Sequence, residues 1–173
     1  MDLLDFTAED LYFDEAANPE VEQLLNTAAE AYGTPAAEQA LLRAFSKAPE
    51  GLTVLVALYR YYYYQLRYED ALSVADRAMN VVANRLGIEP DWRTIDENDL
   101  ANAVQQSMTQ FRFYLYALKG SAYLKLRMGD PQGALERLQA IARLDEADRI
   151  GVKALIDLAN DALAEQAGTT AVG

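Results

Sequence analysis

The chain has 173 residues, 51% of them apolar and 24% charged, the balance of one ordinary globular domain. It contains no cysteine and no histidine, which excludes disulfides, thiolate and imidazole catalysis, structural zinc and cysteine-ligated iron–sulfur clusters; only oxygen-ligated cations remain, and since Asp145, Glu146 and Asp148 do not have the spacing of a calcium loop, no cofactor or metal is expected. The net charge is −12, concentrated in residues 1–50, where 11 acidic and 2 basic side chains leave −9; so little clustered Lys and Arg does not suit nucleic acid.

Apolar runs such as Leu52 to Leu58 are too short to span a membrane, and the first residues, with Asp2 and Asp5 beside Leu3 and Leu4, do not form a basic-then-apolar leader. A cytoplasmic location is expected. Thr7 with Asp10 predicts a short helix over about 8–16. Asn18 and Pro19 then open a helix to Tyr32, stopped by Gly33, and Thr34 with Pro35 opens another that runs toward Pro49. Helices follow over about 51–66 and 68–86, the second ended by Gly87. Gly87 and Pro90 make 87–96 an insertion, with Asp96 placed to cap what comes next.

Leu100, Val104, Met108, Phe111, Leu115, Leu118, Ala122 and Leu126 then form one apolar stripe, predicting a long helix over 97–128, roughly 48 Å at 1.5 Å per residue. Its second half alone has a second apolar face, through Phe113, Tyr116, Gly120 and Tyr123, so only that half is expected between two neighbours. Gly129, Asp130 and Pro131 restart the chain for a helix to about 144. A last helix is expected near 147–166, and 168–173 reads as a flexible tail.

Ala37 and Ala71 stand 34 residues apart, each followed seven residues on by another alanine, Ala44 and Ala78. That interval, and the order of large, small and aromatic positions within it, resembles the tetratricopeptide family of helix-turn-helix repeats. Residues 52–85 match best, through Leu55, Leu58, Tyr59, Tyr62, Tyr68, Ala71, Ala75 and Ala78. Residues 18–51 contribute Val21, Leu24, Ala37, Leu41, Ala44 and Pro49, and 113–146 contribute Tyr116, Gly120, Tyr123, Gly129, Ala134, Leu138 and Ile141. The resemblance implies an all-α fold: a short tetratricopeptide-like α-solenoid of about three helix pairs with N- and C-terminal capping helices, forming a single domain over 1–167, with 86–112 as an insertion.

In that family the first helices of successive repeats line a concave face. Carried over by alignment, the candidate partner-binding residues are Gln23, Asn26 and Glu30, then Arg60, Tyr63 and Tyr64, then Ser121 and Lys125. The run Tyr61 to Tyr64 divides by helical geometry into a stripe with Leu55, Leu58, Tyr59, Tyr62 and Leu66 and another through Tyr61, Tyr64 and Tyr68. Both stripes suit packing; the alternative is that Tyr63 and Tyr64 beside Arg60 and Arg67 are exposed, since Tyr and Arg are frequent interface anchors. Trp92 and Arg93 in the insertion offer the same pair of readings. The acidic, aromatic N-terminal segment reads as a cap on the first repeat or as an amphipathic docking peptide.

A narrower resemblance, carried by the tyrosine-rich helix leading into YEDALSVADRAM, by DWR in the insertion and by FYLYALKGSAYLKL, is to small repeat proteins encoded beside nitrogenase genes, of the nitrogenase-associated factor T type. It implies a protein partner, the molybdenum–iron component of nitrogenase, and no cluster held by this chain. Three classes of function follow: a non-enzymatic interaction scaffold acting as an accessory or assembly factor for a larger enzyme; a general tetratricopeptide adaptor, co-chaperone or homo-oligomer subunit; and an enzyme restricted to carboxylate, tyrosine or lysine chemistry. With no Gly-rich phosphate loop and no nucleophile placed beside a base, the chain is read as non-enzymatic.

Overall fold

The computed structural model describes residues 18–170, with side chains placed to residue 168. The described residues form seven helices and no strand: α1 (Pro19–Glu30), α2 (Pro35–Lys47), α3 (Leu52–Tyr64), α4 (Tyr68–Leu86), α5 (Glu97–Arg127), α6 (Pro131–Leu144) and α7 (Lys153–Thr170). The expected helix over 8–16 and the N-terminal cap lie outside the described residues.

Local chemistry sets most of the boundaries. The Asn18 side chain accepts from the backbone N–H of Glu20 (3.1 Å) and Val21 (3.4 Å), with Pro19 pre-set in the first turn. Thr34 does not cap α2; its hydroxyl turns back and donates to the Ala31 carbonyl at 2.7 Å. Asp96 and Asp99 form a reciprocal capping box at α5. Asp130 accepts from the Gly133 N–H at 2.8 Å to open α6.

Three helix ends share one closure. After α3, α4 and α5 the chain makes paired bonds of the Schellman kind: Arg67 N to Tyr62 O with Leu66 N to Tyr63 O, Ile88 N to Ala83 O with Gly87 N to Asn84 O, and Asp130 N to Lys125 O with Gly129 N to Leu126 O. The closing residue is left-handed each time. At α4 and α5 it is glycine, Gly87 (φ 63°) and Gly129 (φ 77°); at α3 it is Leu66, at φ 59°. Leu66, expected on a core stripe, is therefore outside the helix and 69% exposed.

Packing runs between chain neighbours, α1 on α2, α2 on α3 and so on to α7, with α5 the most engaged through α4 and α6. Ala37, Ala71 and Ala134 are wholly buried, on α2, α4 and α6, and Gly120 is buried on α5. Around them Tyr59, Phe113, Tyr114, Leu55, Leu118 and Leu138 supply the core volume.

The expected 97–128 helix is present as α5 but broken within: Ser107 is extended (φ −164°, ψ 104°), and its hydroxyl accepts from the Gln110 N–H at 3.2 Å, so it caps a second segment. The stripe divides there, with Val104 and Met108 exposed and Phe111, Leu115 and Leu118 buried. The last helix starts at Lys153, because Asp145 binds the Ile150 N–H and Asp148 the Val152 N–H, both at 2.7 Å, holding 145–152 as a loop. That loop buries Ile150 and Val152, and α7 runs on to Thr170, into the expected tail.

Candidate interaction surface

The C-termini of α1 and α3 and the start of α4 carry a connected set of tyrosines. In α3, Tyr59, Tyr61 and Tyr62 turn inward and are buried. Tyr63, half-buried, is the centre of the set: its ring lies 6.3 Å from Tyr59, 5.4 Å from Tyr64, 6.0 Å from Tyr68 and 6.3 Å from Tyr123 on α5. Beside it, Tyr61 lies 5.7 Å from Tyr62 and reaches Tyr32, just past α1, edge to face at 6.2 Å. Such contacts fix ring orientation and add modestly to the area buried.

Two of these rings already carry a cation. The Arg67 guanidinium sits 4.5 Å from the centre of Tyr62, and that of Arg127 lies 5.1 Å from Tyr68 while donating to the Tyr123 hydroxyl at 3.5 Å. Arg67 is also held between Glu38 and Asp70, at 2.7 Å each, and these hydrogen bonds raise its already high pKa. Burial, then the Glu38 charge, raises the Tyr62 phenol, with Arg67 opposing. Among the described residues no cation lies over Tyr32 or Tyr64, which are 51% and 59% exposed.

The other expected site residues divide among separate places. Gln23, Asn26 and Glu30 are exposed on α1, and Gln23 lines an open groove of about 590 Å³ with Leu24, Thr27, Arg43 and Lys47. Arg60 is half-buried on α3. Lys125 is paired with Asp130 at 2.9 Å. Ser121 is fully buried and donates to the Leu118 carbonyl at 2.7 Å, so it offers no surface to a groove ligand.

Trp92 is only 8% exposed, pinned with Ile88 and Ile95 against the helices. The Arg93 and Arg137 guanidiniums lie 4.2 and 5.1 Å from its ring centre. Arg137 is buried, donates to the Gly133 carbonyl, and has its pKa lowered by burial; Asp76, within its field, has its pKa raised by burial. Trp92 thus anchors the insertion, and Arg93 alone of that pair reaches solvent.

Of the sequence candidates, then, Tyr63 and Tyr64 are in ring contact, Arg60 precedes Tyr64 by one turn of α3, and Arg67 lies over Tyr62. Tyr32, Leu66, Tyr123 and Arg127 join the surface without having been singled out for it. No glycine marks the end of α3 in YYYYQLRY, so the sequence carried no signal for the left-handed Leu66.

Fold and surface together define an all-helical protein with an exposed tyrosine edge, and no helix among the described residues is long and apolar enough to cross a membrane. The chain is 46% identical, over 165 residues covering 95% of it and 92% of the relative, to an uncharacterized 19.8 kDa protein in the nifW 5′ region of Azotobacter chroococcum mcd 1, and it belongs to the family of that protein. No family model matches the chain. No solved structure matches it either.

Proposed function

We propose that this protein is a non-enzymatic interaction scaffold serving nitrogen fixation, an accessory or assembly factor whose partner is the molybdenum–iron protein of nitrogenase. The observation that carries this reading is the family relative encoded in a nif region. The scaffold part is supported by packing between chain neighbours and by the buried Ala37 and Ala71, one 34-residue interval apart, as a tetratricopeptide-like stack requires. Such a stack leaves side chains along its faces and edges for another protein, and the tyrosine edge has the composition of an interface anchor. The test is affinity purification of the tagged chain from nitrogen-fixing cells, with mass spectrometry of what co-elutes. The molybdenum–iron protein is expected in the eluate under nitrogen-fixing growth; an eluate without any nitrogen-fixation protein overturns the reading.

A further inference from the structure

We infer that the tyrosine edge seats a basic segment of the partner, with Lys or Arg side chains over the faces of Tyr32 and Tyr64; this rests on the scaffold reading and specifies its chemistry. Two of the chain's own guanidiniums lie over tyrosine rings here, Arg67 on Tyr62 and Arg127 on Tyr68, and Arg127 also donates to the Tyr123 hydroxyl. Tyr32 and Tyr64 are the most exposed of the set, and among the described residues no cation lies over either. A tyrosine ring attracts a cation through its quadrupole, and Arg adds stacking and hydrogen bonding to the phenol.

The surroundings have the same sign. α1 and α3 have no basic residue in their last turns, and the Arg67 that follows α3 is already held by Glu38 and Asp70, whereas α5 ends with Lys125 and Arg127. Residues 18–50, which include α1 and α2, carry five acidic and two basic side chains, a net of −3. An acidic partner segment is repelled here and a basic one attracted.

Leu66 supplies an independent observation. It holds a left-handed position that glycine holds after α4 and α5, and at 69% exposure it buries little in return. An apolar side chain kept there at a conformational cost, next in the chain to the Tyr64 turn, fits contact with the aliphatic stems of partner Lys or Arg.

The test uses the full chain and a short synthetic peptide alternating arginine and glycine, followed by NMR. The peptide is expected to shift Tyr32 and Tyr64 ring signals saturably, and a peptide with citrulline for each arginine is not. Tyr64→Phe retains the affinity, and Tyr64→Ala weakens it roughly two- to five-fold. Equal binding of the citrulline peptide, shifts confined to other surfaces, or unchanged affinity in Tyr64→Ala overturns the inference. Because the peptide replaces the cellular partner, this result is independent of the purification: the protein can co-purify with nitrogenase and still fail here.

Discussion

At the scale of residues, the left-handed Leu66 and the buried alanines make opposite predictions. A non-glycine residue at φ 59° costs roughly 1–2 kcal/mol, and Leu66 is too exposed to recover it by burial. Leu66→Gly is therefore expected to raise stability in urea by about 1 kcal/mol, while weakening the arginine peptide; lower stability would show that the side chain is needed by the fold. Ala71 is wholly buried on α4, which packs against α3 and α5, so Ala71→Leu should overpack the site and lose roughly 1–3 kcal/mol. A thermal melt without that loss would contradict the close crossing inferred from the 34-residue interval. Both positions were visible in the sequence, but only one was readable. An alanine at a fixed interval declares a close approach, whereas a leucine beside tyrosines reads as core, because helical periodicity does not register that the helix has already ended.

At the scale of elements, punctuation was legible where it was carried by proline, glycine and caps: Asn18–Pro19, Pro35, Gly87, Asp96 and Asp130–Pro131 all fall at observed boundaries. The break at Ser107 was not, since the apolar stripe runs through it and serine is tolerated inside helices. Its role is testable by Ser107→Ala. In an unbroken helix alanine would be neutral or slightly stabilising; with Ser107 capping Gln110, loss of the acceptor is expected to cost about 1 kcal/mol in chemical denaturation. The late start of α7 was hidden for a related reason. Asp145 and Asp148 act through carboxylate bonds to amides four or five residues ahead, which fold 145–152 into a loop although its composition suits a helix.

At the scale of the whole molecule, the acidic surface is not uniform in what it does. The bonds from Lys125 and from the Gly133 amide hold Asp130 below the ordinary carboxylate value of 3.8, so its contribution to stability is present above that pH and lost as pH falls through the lower folded value. Asp76 is the reverse. Burial raises its pKa despite Arg137, Lys125 and Arg93, so it binds protons more readily folded than unfolded and lowers stability as pH rises above 3.8. Asp130→Asn is thus expected to lose stability at neutral pH, and Asp76→Asn to gain it, with both differences shrinking in acid. Unfolding curves across pH would expose a wrong sign in either.

The all-helical class and the tyrosine run were legible in the sequence, because periodicity and composition carry them. The shape of the interaction edge was not, since it is made by three helix ends brought together through packing: Tyr32 after α1, Tyr64 to Tyr68 between α3 and α4, and Tyr123 with Arg127 on α5.

The most direct test is affinity purification from nitrogen-fixing cells with the wild-type chain and a Tyr32→Ala/Tyr64→Ala variant side by side, after circular dichroism has matched their folds. Loss of the co-eluting molybdenum–iron protein in the variant is the predicted result; equal recovery with both chains would contradict the tyrosine edge as the docking surface.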